Sequence, residues 1–265
     1  MGHNPNLYSM NATIDAPAPP VTVPGLLLHC GAETVPREKL ARIATPPSTE
    51  TWFPLAHEDL VGEVESQLTG AGFLIDSAVH SLCHDGARYF GILQVRLPSR
   101  EVTDYAWIVG LRNSHDKTYP AGLVAGSRVF VCDNLAFTGE VKLSRKHTRH
   151  AMRDLKHLTA RAVGQLGDRF HQLDRRIAAY RNEPMPDWAA HDLVVRAVDC
   201  RAITTTQIPH VLEEWRKPSH PEFKPRNAWS LFNAFTEVQK RINPHHALTR
   251  GEALHGLFDA ATGLN

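Results

Sequence analysis

The sequence predicts an α+β fold: a helix, a four-stranded mainly antiparallel sheet, a long basic amphipathic helix, then a helical C-terminal region. Three observations carry this expectation. Residues 73–112 alternate apolar and polar positions over three successive runs, the pattern of half-buried strands. From Met152 onward the apolar residues Leu155, Leu158, Ala162, Leu166, Phe170, Leu173, Ile177 and Tyr180 step by three or four, the period of one helix face. Beyond Pro184 and Pro186, shorter helical patterns follow one another with no further strand pattern between them.

Taken in order, residues 1–24 carry Pro5, Pro17, Pro19, Pro20 and Pro24 among small polar residues, a composition that resists helix and has little to bury. We expect a flexible arm there, an α+β core domain over 25–183, and a helical region over 184–265. After the apolar run Gly25 to Leu28, Pro36 introduces a short helical stretch to Ile43, ended by Pro46 and Pro47. Leu60, Val61, Val64 and Leu68 predict a helix over about 57–69, stopped by Gly70 and Gly72. Phe73 to Cys83 and Ala87 to Leu97 read as a hairpin around His84-Asp85-Gly86, with Tyr89, Gly91, Leu93 and Val95 on one face. A third strand, about 104–112, alternates Tyr105, Trp107, Val109 and Leu111, and a fourth is expected at 128–132. The C-terminal helices are expected near 187–201, 208–216, 226–242 and 247–259.

A hydrophobic content of 42% with 22% charged residues is that of a globular chain and excludes a wholly disordered one. Cys30, Cys83, Cys132 and Cys200 stand singly, without metal-ligand or redox spacing, so free thiols in a reducing cytoplasm are expected. The first twenty residues hold no apolar run resembling a signal peptide or membrane span, and no membrane partner is expected. The net charge of +1 hides a local imbalance: from Lys142 to Arg161, seven Lys or Arg face one acid, Asp154, giving +6 and leaving −5 for the rest.

That imbalance sets the leading functional expectation. On a helix, Lys142, Arg145, Lys146, Arg149, Arg153 and Lys156 would share one face, with Asp154 pointing elsewhere. Like charges at that spacing repel, and phosphates are the common compensating partner because their neutralisation releases condensed counterions. The competing reading is a solvated helix face balanced by acids from elsewhere in the protein. Tyr105, Trp107 and Phe130, with Tyr89 and Phe90, lie on expected strands and are candidates for stacking unpaired bases, although strand aromatics are commonly core. Arg88, Arg96 and Arg112 alternate on the other strand face and would line a phosphate track or solvate the sheet.

Enzymatic patterns are weaker. Asp116 or Asp133 upstream of Glu140-Val141-Lys142 loosely matches the carboxylates and lysine of metal-dependent nucleases. His147, His150, Asp154 and His157 have a helical spacing that would suit zinc, and Cys132 with His115 would make a nucleophile pair lacking a third member. No phosphate-loop, zincin, nucleophile-elbow or dinucleotide fingerprint is present, so no cofactor is expected and no residue is assigned as catalytic. Asn113-Ser114-His115-Asp116-Lys117 and Cys132-Asp133-Asn134 mark strand exits, where such residues most often cap turns; the alternative is that both clusters converge at one end of the sheet, where His115 and Asp116 would contact a ligand or metal.

Four motifs carry a family resemblance: Asn113-Ser114-His115-Asp116; the Arg-Val-x-Val-Cys-x-Asn run of 128–134; Arg145-Lys146-His147-Thr148; and the Trp-x-Leu-x-Asn-Ala-x-Thr run of 229–236. Together they resemble the phage/plasmid-like family known as domain of unknown function 932, over roughly residues 25–242. The resemblance implies a role in mobile-element DNA metabolism or host conflict and carries no catalytic residue with it. The element order is also similar to that of phage single-strand annealing proteins, which implies a homo-oligomer holding single-stranded DNA; this likeness is one of topology alone. The expectation is therefore a cytoplasmic protein binding or annealing single-stranded DNA in recombination. A metal-dependent nuclease or other phosphoryl-transfer enzyme and a purely partner-binding protein are the alternatives.

Overall fold

The computed structural model describes residues 32–100, 104–129, 135–240 and 244–264, with backbone alone at 129, 135–143, 152, 244, 245, 247 and 248. Phe130, Cys132, Asp133, the arm over 1–24 and the apolar run at 25–28 lie outside the described residues. The architecture is α+β around one antiparallel sheet. The sheet has six strands rather than four, in the order β1 (Glu33–Val35), β2 (Leu74–Cys83), β3 (Arg88–Arg96), β4 (Tyr105–Ser114), β5 (Ala121–Val129) and β6 (Leu135–Arg145), each antiparallel to the next.

Two departures from expectation matter for function. The fourth strand begins at Ala121, because Ala121, Leu123 and Ala125 alternate into the core although glycine, serine and arginine lie between and around them. The sixth strand occupies residues 135–145, whose carboxyl end was expected to start the basic helix. Leu135, Phe137, Val141 and Leu143 follow the two-residue period of a strand and would have announced it.

One short helix, α1 (Arg37–Leu40), precedes α2 (His57–Gly70), whose Leu60, Val61, Val64 and Leu68 are buried against the sheet. Glu58 and Asp59 sit in its first turn, where they oppose the positive end of the helix dipole. The hairpin between β2 and β3 turns through His84, Asp85 and Gly86, all at positive φ. Gly91 on β3 lies beneath the Tyr89 phenol: a Cβ there would stand 2.0 Å from Tyr89 Oη, so only glycine fits.

The long helix α3 (Ala151–Asn182) turns Leu155, Ala162, Leu166, Phe170, Leu173, Ile177 and Tyr180 into the core and packs on β5, β6 and α2, with Tyr180 against Phe232, His255 and Phe258 of the C-terminal region. The C-terminal helices α4 (Asp187–Asp199), α5 (Ile208–Arg216), α6 (Ala228–Gln239) and α7 (Pro244–Ala261) follow. α6 packs on α3 and α7 on β6, so these helices share one continuous apolar core with the sheet. Asn227 joins the two parts: its Oδ1 accepts from Ser230 N at the start of α6, and its Nδ2 donates to the Arg181 carbonyl at the end of α3. Among the described residues, no helix is long and apolar enough to cross a membrane.

Candidate nucleic-acid interface

The expected six-cation helix face does not form. Lys142 and Arg145 belong to β6, opposite Val124 and Ala121 of β5; Lys146 and Arg149 lie in the connection to α3; only Arg153 and Lys156 are helical. Asp154, expected to point away from the basic face, is instead its main neutralising group. Arg145 donates to its Oδ2 at 2.7 Å and Arg153 to its Oδ1 at 3.2 Å. Lys146, Arg149 and Lys156 are exposed and have no ion pair among the described residues, and Arg161, further along α3, is also exposed.

Of the stacking candidates described, Tyr89, Tyr105 and Trp107 are core, and Phe90 is half-buried against Tyr119. Trp107 is fully buried, with its indole stacked on Phe170 of α3 at 4.7 Å and 6°. Its Nε1 donates to Asp174 Oδ1 at 2.8 Å, and the Tyr105 hydroxyl donates to the same oxygen at 2.6 Å. Arg100 lies 4.2 Å from the Trp107 ring centroid. A base has no access to either face of Trp107, and the position of Tyr105 is set by the same helix carboxylate.

On the other sheet face, Val79, Ile92, Gln94, Ala106 and Ile108 are also buried, as is Arg128, which donates to Gln94 Oε1 at 3.0 Å. The arginines expected to alternate there are largely committed. Arg88 pairs with Asp116 at 2.6 Å, Arg96 pairs with Asp76 at 2.9 Å, and Arg112 is packed 5.6 Å from the Tyr119 ring, where burial lowers its pKa. They form no continuous track of free cations.

What the structure brings together is the end of the sheet where β4 and β6 both finish. The irregular segment 49–56, leading into α2, threads between these two strand ends. Asn113 Nδ2 donates to the Leu55 carbonyl at 2.9 Å, and His115 Nε2 donates to the same oxygen at 2.8 Å. From the other side, Leu55 N donates to His147 Nδ1 at 3.1 Å, and Phe53 N donates to the His147 carbonyl at 2.9 Å. The Asn-Ser-His-Asp and Arg-Lys-His-Thr motifs, more than thirty positions apart in the chain, therefore meet through Leu55.

Behind this junction is a cluster of neutral imidazoles. His57, at the start of α2, stacks on His115 at 4.0 Å and 7°; its Nε2 donates to the Gly86 carbonyl at 2.9 Å and its Nδ1 accepts from Asn113 Nδ2 at 3.0 Å. Burial, reinforced by the nearby His115, depresses the pKa of His57 to about 4 and that of His147 to about 4; burial also lowers His115. The hydrogen bonds require the same state, since Nδ1 of His57 and of His147 must accept.

In front of the junction lie two half-buried aromatic rings that the sequence reading passed over. Trp52 has its ring near parallel to His147 at 6.1 Å, with Lys117 Nζ 5.0 Å from its centroid. Phe53 has the Arg149 guanidinium 5.8 Å from its centroid. Their signal was an aromatic pair flanked by Pro46, Pro47 and Pro54, with no periodic pattern that would bury it. Lys117 is held at φ +66 in the turn after β4, where Asp116 Oδ1 accepts from Thr118 N at 3.1 Å. The surface thus sets two aromatic faces beside Lys117 and Arg149; Lys146 directly precedes His147 in the same connection, and Lys156 lies in the second turn of α3.

The other expected constellations do not assemble. His147 is buried at the sheet end and not on α3, so it shares no helix face with His150, Asp154 and His157. Among the described residues, no group of three His, Cys, Asp or Glu is placed to hold a metal ion. Asp116 is occupied by Arg88 and its own turn. The fourth motif is packing: Trp229, Leu231, Asn233, Ala234 and Thr236 are all buried on α6.

The fold and this surface define a class: a helix-backed antiparallel sheet with an aromatic and cationic end. No protein-family model, curated protein or solved structure matches the chain.

Proposed function

We propose that this protein binds single-stranded nucleic acid, with DNA favoured, across the sheet end and the first turns of α3. The observation that carries the reading is the placement of Trp52 and Phe53 beside cations with no ion pair among the described residues. Unpaired bases present faces that stack on such rings, whereas a duplex keeps them enclosed. Lys117, Lys146, Arg149, Arg153 and Lys156 would neutralise successive phosphates, Arg153 in competition with Asp154. The four motifs favour membership in the phage/plasmid-like family of unknown function 932. On that reading the binding would serve mobile-element DNA recombination in the cytoplasm, and the likeness in element order to phage single-strand annealing proteins favours an assembly of several copies.

The test is anisotropy of a labelled oligothymidylate and of a duplex over a range of salt. Tight single-strand binding with a log–log salt slope is expected. In the combined Lys146→Ala, Arg149→Ala and Lys156→Ala variant the slope becomes shallower by about 2, at roughly 0.7 per phosphate contact. No binding at low salt, or an unchanged slope, overturns the reading. Cleavage of the oligonucleotide on adding Mg²⁺ or Mn²⁺ would instead favour the phosphoryl-transfer alternative through Asp133, Glu140 and Lys142.

A further inference from the structure

The segment 49–56 has no helix or strand to fix it, yet it carries both aromatic rings of the surface. Its described hydrogen bonds are few. Thr49 and Trp52 close a turn on themselves, with Thr49 N donating to the Trp52 carbonyl and Trp52 N to Thr49 Oγ1. Apart from the bond from Leu60 N to the Ala56 carbonyl that opens α2, every other such bond ends on His147, Asn113 or His115. His147 makes three attachments to this segment: its ring lies along Trp52, its carbonyl accepts from Phe53 N, and its Nδ1 accepts from Leu55 N. It is itself 5% exposed and stands in sequence between Lys146 and Arg149, two of the free cations.

We infer that His147 is the positioning residue of the nucleic-acid face, locking the aromatic pair Trp52 and Phe53 in register with the cations on either side of it. This rests on the binding function proposed above. The mechanism is local. Residues 146–149 connect β6 to α3 and are fixed by both; through His147 that rigidity passes to a segment that has no ladder of its own. Asn113 and His115 hold the Leu55 carbonyl while His147 holds its N–H, so one residue is pinned through both of its flanking peptides from both strand ends. The ring must accept at Nδ1, which places its proton on Nε2, a buried atom with no hydrogen-bond partner among the described residues. His147 therefore serves by the position of one acceptor and one flat face and makes no contact with the ligand.

The inference separates two substitutions. In His147→Asn the amide oxygen falls near the place of Nδ1 and still accepts from Leu55 N; in His147→Leu the volume remains and the acceptor is lost. Acrylamide quenching of Trp52, read as the difference between each protein and its Trp52→Phe counterpart, should rise in the leucine variant and stay near the wild-type value in the asparagine variant. Oligonucleotide affinity at low salt should fall by about tenfold in the leucine variant, the loss of one stacked base, and recover in the asparagine variant. The salt slope should be unchanged in both, because the cations remain. Equal Trp52 quenching in wild type and in a folded leucine variant overturns the inference, as does failure of asparagine to restore affinity. Should the leucine variant not fold, amide exchange of the wild type decides: the Phe53 and Leu55 amides are expected to be protected well beyond that of Thr51, and absence of that protection overturns the positioning role. A wild-type chain that binds no oligonucleotide overturns the function alone, since quenching and exchange report on His147 independently.

Discussion

Two tryptophans show how little residue type says about role. Trp107 and Trp52 are the same side chain, but Trp107 is closed between Phe170, Arg100 and Asp174, whereas Trp52 keeps part of its ring open beside Lys117. Strand alternation correctly puts Trp107 on the face of Tyr105 and Val109. Whether that face meets solvent or a helix is decided by α3, which periodicity places in the chain but not in space. Truncating the two residues should therefore give opposite patterns. Trp107→Ala is expected to cost about 3–5 kcal/mol of stability, the range for a large buried aromatic. At temperatures where it remains folded it should leave oligonucleotide affinity nearly unchanged. Trp52→Ala should lower affinity by about 1–3 kcal/mol, the range for one base stacked on an aromatic ring, with a much smaller shift in melting temperature. Parallel melting and anisotropy curves for the two variants check this, and a larger loss of affinity in Trp107→Ala than in Trp52→Ala would contradict it.

Among the elements, the junction of β6 with α3 had the largest gap between expectation and structure. A run of cations spaced by three and four suits a helix, and from Ala151 onward the chain is one; before it, Leu135, Phe137, Val141 and Leu143 impose the period of a strand. The conversion from strand to helix turns Arg145 back toward the first turn of α3. There Asp154, also well placed for the helix dipole, accepts from both Arg145 and Arg153. This acid acts as a built-in competitor for the phosphates. Asp154→Asn should lower helix stability slightly, through the lost dipole interaction, while releasing two guanidinium groups. Tighter oligonucleotide binding is expected, with a salt slope steeper by up to about 1.4 if both then meet phosphates. A slope that stays the same would mean that Arg145 and Arg153 lie outside the path of the strand.

At the scale of the whole molecule, buried histidines make stability depend on pH. Burial, with His115 nearby, holds His57 and His147 at about 4; burial, with Arg176 nearby, holds His255 in the helical region at about 3. Their unfolded values lie near 6.5, so between the two the unfolded chain binds more protons and stability rises with pH. The contribution is complete above about 6.5 and is lost as pH falls toward 4, a shift on the order of 3 kcal/mol for His57 alone. Urea unfolding at pH 7 and pH 5 should show a lower midpoint at the acidic pH, and replacing His255 with a neutral residue of similar size should reduce that difference. An equal midpoint at both pH values would contradict the neutral cluster.

By itself the sequence determined the α+β class, the β2–β3 hairpin, the apolar stripe of α3 and the local excess of positive charge, because each is written in near neighbours at a fixed period. It took the tertiary structure to bring the ends of β4 and β6 to one edge of the sheet, on either side of β5, to pin Leu55 between them, and to let Trp52 and Phe53 emerge there with Lys117 and Arg149. Those contacts join residues separated by up to 92 positions. No local pattern encodes such a meeting, since it depends on how the strands order themselves and on which face the helices cover.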